Sequence, residues 1–337
     1  MVPPGRRTLT SPRNRALAAF VVAAAVVWWT AHRHGVFFVT GLGPETSALA
    51  GPILPAVCAG LTAALVLSLV DLATGPVAAL LAVLAVLALP DFGTLHNTSL
   101  TGPPLLTLTM VMLALMMHAP RWSLAYGTVA AVGAVLVESA GAGLPLAAVG
   151  WAVYSARRDR RPPWRRLAFA LIPLLLLVAI DAGGGGSAWP GDWQLAWRGG
   201  LDAGLRAAGT VIGDQLAPGI SSPAVRWFAI ADLTLILLAV VVAGARVARR
   251  APATSATVTM HPAAGTVLLG LALGLACRWL LVPASPAPDV VAMLPLVVVA
   301  VVAVFTSAAL LWRGWPRWGR GLALLLLVGW LQAAMRS

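Results

Sequence analysis

Apolar runs alternate with short polar breaks along the whole chain. They fall near residues 16–31, 48–70, 76–90, 103–118, 122–138, 143–155, 167–181, 225–245, 263–283, 288–312 and 321–334. A helix rises ~1.5 Å per residue, so ~20 apolar residues cross a ~30 Å hydrocarbon core. The pattern therefore predicts an all-α polytopic membrane protein with about eleven transmembrane helices. Some runs are short. Residues 76–90 reach spanning length only if Leu72 and Phe92 are counted in, and 122–138 with 143–155 reads as one bent hairpin inside the bundle. The whole chain, 1–337, reads as a single integral membrane domain.

Four polar stretches interrupt the pattern: residues 32–47, 91–102 (DFGTLHNTSLTG), 182–224 and 246–262. The last is rich in Ala, Thr and Ser and reads as a cytoplasmic linker. The segment 182–224 reads as an extracytoplasmic loop carrying a surface helix at 192–208. Trp189, Trp193, Trp197, Leu201 and Leu205 recur every four residues, and Arg198, Asp202 and Arg206 form the opposite face. A tryptophan-rich face backed by i, i+4 charges suits a helix in the membrane interface, or one packed over the mouth of the bundle.

Charge orients the pattern. The chain has 23 basic residues, all arginine, and a net charge of +12. With the N-terminus in the cytoplasm, 17 fall inside: Arg6, Arg7, Arg13, Arg15, Arg121, Arg157, Arg158, Arg160, Arg161, Arg165, Arg166, Arg246, Arg249, Arg250, Arg313, Arg317 and Arg320. Six fall outside or near outer helix ends. Positive charge is retained on the cytoplasmic side, so this split predicts a multi-pass plasma-membrane protein. The arginines face anionic lipid headgroups, which excludes nucleic acid as the partner. Charged residues are only 10% of the chain, against ~25% in soluble domains. The first apolar run lacks a small-x-small cleavage site before His32-Arg33-His34 and reads as an uncleaved signal anchor. Cys58 and Cys277 read as packing residues within spans.

Acids within or beside spans are the candidates for chemistry, because burying a charge there is costly. Glu45, Asp91, Glu138, Asp181, Asp192, Asp202, Asp214 and Asp289 map outside or near outer helix ends. Asp71 and Asp159 map inside, and Asp232 lies within a span. Glu45 and Asp91 are the candidate general bases. Glu138 precedes the break Ser139-Ala140-Gly141 and could pair with an arginine or bind substrate. Arg278 could hold a phosphate, although snorkelling to the interface explains it too. His96, in the second outer loop, completes the substrate-binding candidates. His32, His34 and His96 together with Glu45 and Asp91 could ligate a divalent metal. A His-x-His pair past a helix end is more often interfacial decoration, so no metal and no cofactor is expected.

Four parts of the chain together resemble the transmembrane module of GT-C superfamily glycosyltransferases. They are the helix pair Ile53–Val70 and Pro76–Pro90, and the loop LHNTSLTG (Leu95–Gly102) leading into Pro103–Met117. The bent hairpin Ala130–Ala156 and the basic turn Arg157–Arg166 before Leu167–Ile180 follow. Val290–Phe305, with its Leu-Pro, resembles the family's late helix. The resemblance implies a GT-C-like bundle and a polyprenyl-phosphate sugar as donor at the outer leaflet. It also implies an acid in the first outer loop as catalytic base. That loop is only residues 32–47 here, Glu45 is its sole acid, and Glu138-Ser139 stand where the family keeps a basic residue. The alternatives from other classes are a non-catalytic membrane subunit and a transporter.

Overall fold

The computed structural model describes residues 11–34, 44–89, 92, 102–136, 143–183, 237–249, 256–281 and 290–314. Among these residues every regular element is a helix. They are α1 (Pro12–His34), α2 (Pro44–Thr74), α3 (Pro76–Leu87), α4 (Gly102–His118) and α5 (Ser123–Leu136), then α6 (Gly143–Arg158) and α7 (Trp164–Gly183). Next come α8 (Leu237–Ala248), α9 (Ala256–Leu281) and α10 (Val290–Gly314). The apolar run 321–334, the surface helix at 192–208 and most of the loop 182–224 lie outside the described residues. The stretch 246–262 is helical at both ends, through Ala248 and from Ala256.

Three described helices are long and apolar enough to cross a membrane: Ile53–Thr74 in α2, Val258–Cys277 in α9 and Met293–Trp312 in α10. They support membrane insertion but not a count of eleven spans. The run 321–334 and most of 225–245 lie outside the described residues, and among the described helices some are short. The 12 residues of α3 reach only ~18 Å, short of a ~30 Å core. The apolar run 76–90 goes on past Leu87, but the helix does not: Ala88 closes the last turn by donating to Leu84 O. Pro90 then disfavours helical backbone at the residue before it.

The chain divides into two compact units. The first comprises residues 1–107, 213–258 and 301–337. Within it α2 packs against both α1 and α3. Gly75 alone joins α2 to α3. Its φ of 103° lies in a region closed to side-chain-bearing residues, and Pro76 then starts α3 where no N–H is needed. Deep in the same unit, Thr107 of α4 meets α2. Its hydroxyl lies 3.1 Å from Cys58 O and 3.0 Å from Pro103 O, and 3.2 Å from the Thr62 hydroxyl.

The second unit comprises residues 108–212 and 259–300. Here α5, α6 and α7 all pack on one another. The approach of α5 to α7 is close enough that a Cβ on Gly127 would lie 2.5 Å from Ala170 O. On α9, a Cβ on Gly270 would lie 2.6 Å from both Cβ and N of Ala147 in α6. Membrane helices associate through such small-residue contacts, because lipid gives no hydrophobic drive between helices.

The surface follows the same logic. Along α3, Ala79, Ala82, Val83, Ala85 and Val86 are buried, while Val77, Leu80 and Leu84 point outward. On α7, Phe169, Ile172, Leu175 and Leu176 are exposed, as are Leu269 and Leu273 on α9. Large apolar side chains facing outward on several helices suit contact with lipid.

Candidate functional site

Of the five candidate residues, two have a described backbone position. Glu45 follows Pro44 in the first turn of α2, and Arg278 lies in the last turn of α9. Their side chains lie outside the described residues, as do Asp91, His96 and Glu138. His32 and His34 lie in the last turn of α1 with their side chains also outside that set. None of these residues is therefore brought to another among the described residues. No group of three or more His, Cys, Asp or Glu side chains comes together there either.

The polar site that is described sits at the basic turn of the second unit. α6 ends when Arg160 N donates to Arg157 O at 3.1 Å and Arg161 N to Ala156 O at 2.9 Å. This pair of bonds is a Schellman closure, and it puts Arg160 at φ 53°, in the left-handed region. Pro162 and Pro163 block continuation, and Leu167 N donates to Pro163 O at 2.9 Å as α7 begins. Asp159, at the cap of α6, receives the two arginines that flank it. Arg166 Nη2 donates to its Oδ2 at 2.5 Å, and Arg121 Nε lies 3.5 Å from the same oxygen. Arg121 arrives through the turn between α4 and α5, which Trp122 N closes on Ala119 O at 2.9 Å.

The hydrogen bond from Arg166 is the main cause that holds the Asp159 carboxyl below the ordinary carboxylate range. Partial burial opposes it, and the charges of Arg166 and Arg121 add to it. Arg166 is buried. Its Nη1 is enclosed without an acceptor among the described residues. Arg158 Nη1 donates to Thr259 Oγ1 at 3.3 Å and so fastens α6 to α9. Arg121, Arg157, Arg158, Arg160, Arg161 and Arg165 are exposed. The Arg165 guanidinium stacks 5.0 Å from the centre of the Trp164 ring.

The first unit has its own ion pair. Arg15 Nη2 of α1 donates to Asp71 Oδ2 of α2 at 2.5 Å. Asp71 is the more enclosed partner, with a side chain 9% exposed. Both ion-pair sites set fixed charges at helix ends and join elements distant in sequence. The sequence puts these two acids and three arginines on the same side, but does not pair them. One clue was present: Asp159 is the only acid among six arginines in residues 157–166. The Thr62–Thr107 contact has no such clue, since threonines are frequent in apolar helices. No protein-family model, curated protein or solved structure matches this chain.

Proposed function

We propose that the chain is a multi-pass membrane protein of GT-C-like organisation that transfers a sugar from a polyprenyl-phosphate donor at the outer leaflet of the plasma membrane. The carrying observation is helix order. α2 and α3 form a pair joined by one residue, α4 follows a loop, α5 and α6 form a packed hairpin, and a basic turn leads into α7. This is the sequence of parts in which the resemblance lies. The proposed topology has eleven spans with a cytoplasmic N-terminus, so the short helices cross with the help of flanking residues. Glu45 or Asp91 deprotonates the acceptor hydroxyl. Arg278 balances the donor phosphate, and Glu138 and His96 orient substrate.

The test is the purified full chain reconstituted in lipid and assayed with a panel of polyprenyl-phosphate sugars. Glu45→Gln or Asp91→Asn should lower transfer by at least ~100-fold, the low end for a positioned base. Transfer that survives both substitutions removes these residues from the mechanism. A non-catalytic membrane subunit is the second reading. It is favoured by the described ion pairs, which join helix ends and leave their carboxylates engaged. Absence of binding or turnover with every donor would put that reading first. A transporter would need paired ionisable groups at mid-membrane, and its candidates, Glu138 and Asp232, lie outside the described residues.

A further inference from the structure

We propose that the α6–α7 turn and the start of α5 form a binding site for the phosphate headgroup of an anionic phospholipid. The site lies at the opposite membrane face from the proposed transfer chemistry and does not depend on that chemistry. Its cytoplasmic placement rests on the proposed topology.

Three observations carry the inference. First, among the described residues basic groups outnumber carboxylates at this turn. Between residues 157 and 166 six arginines meet one carboxylate, and that carboxylate is already shared by Arg166 and by Arg121 from the α4–α5 turn. The Arg121 side chain is 72% exposed even so. Asp159 thus draws the start of α5 beside the turn and leaves the outward-facing guanidinia of Arg157, Arg160, Arg161 and Arg165 without its help. Guanidinium groups match phosphate oxygens with paired donors, so a negative phosphate suits this surface.

Second, Arg160 occupies a backbone position that glycine fills at least cost. The left-handed conformation is unfavourable for an L-residue, and helices closed in this way usually carry Gly there. The chain uses Gly 33 times, yet sets an arginine at φ 53°. Strain of this kind, at an exposed turn, points to a use for the side chain.

Third, the surroundings are those of the headgroup layer. Trp122, just before α5, and Trp164, at the start of α7, are 68% and 60% exposed. Tryptophan collects at that depth because one edge is apolar and the other donates a hydrogen bond. Arg165 lies over the Trp164 ring, which holds its charge at the rim. The buried Nη1 of Arg166 adds a donor still to be satisfied.

The experiment is native mass spectrometry of the purified full chain released from mixed micelles holding equal phosphatidylglycerol and phosphatidylcholine. The wild type should retain phosphatidylglycerol in preference. Arg160→Gly removes charge while relieving the backbone, so its thermal midpoint should hold or rise while the preference falls about fivefold, the effect of one arginine near an anionic surface. Arg157→Gln with Arg161→Gln leaves the turn conformation unchanged and should lower the preference further. Equal retention of the two lipids by the wild type overturns the proposal. So does a preference unchanged in both variants. Displacement of the lipid by millimolar inorganic phosphate also overturns it, assigning the arginines to a free anion. No sugar donor is present, so the outcome is independent of transferase activity.

Discussion

Asp159 is held between two arginines from different elements, and its lowered pKa makes it a reporter of the turn. Its folded value lies below the ordinary value, so the stability it gives is fully present above pH ~4 and is lost as pH falls through the folded value. Asp159→Asn should therefore lower the unfolding temperature at neutral pH, and the gap to wild type should close as pH drops below ~4. Thermal melts in detergent across pH check this, and a gap that persists unchanged at acid pH would refute the linkage. At this scale the sequence was legible in part. It located a basic cluster with one acid inside it. It could not show that Arg166 turns inward while five neighbours turn outward, because that choice is set by the Schellman closure and two prolines. The φ of Arg160 was likewise invisible, since nothing in the residue type announces a left-handed backbone. Cost of burial, loop position and, for Glu45, the resemblance single out Glu45, Asp91, His96, Glu138 and Arg278, and those criteria do not bring side chains together.

Two glycines of α9 separate propensity from packing. Ala is favoured over Gly within a helix by up to ~1 kcal/mol. A Cβ on Gly265 meets nothing within 4 Å, so Gly265→Ala should stabilise by about that amount. A Cβ on Gly270 would collide with the backbone and Cβ of Ala147, so Gly270→Ala should destabilise by ~1–3 kcal/mol despite the same gain. Melting temperatures that move in opposite directions support the packing described, and two upward shifts would place α9 away from α6. Element positions were the most legible part of the sequence. Each apolar run with described residues contains a helix, because a long apolar stretch satisfies its backbone only within itself. Helix ends were less legible. α3 stops at Leu87 although its apolar run continues, and α9 begins at Ala256 within a stretch that composition assigns to a linker. Composition records solubility, whereas an end is decided by local turns and caps.

At the scale of the whole molecule the arginine split is the strongest statement in the sequence. A cysteine introduced at Ser187 should react with an impermeant reagent applied outside, and one introduced at Thr254 should not. The reverse pattern would invert the topology. Hydropathy alone read the chain as eleven crossings, whereas the described helices support three by length and composition. The run 321–334 and most of 225–245 lie outside the described residues, and among the described ones several helices are shorter than a span. α3 is one of these. Around a helix of ~18 Å, a bilayer with a ~30 Å core must thin, or its headgroups must sink toward the helix ends, at a cost of fractions of a kcal/mol for each ångström. In the proposed topology, where α3 crosses, the lipid beside Val77, Leu80 and Leu84 would be compressed relative to the bulk. That topology therefore implies a built-in preference for thin, short-chain membrane, and deformation of the bilayer wherever that is lacking.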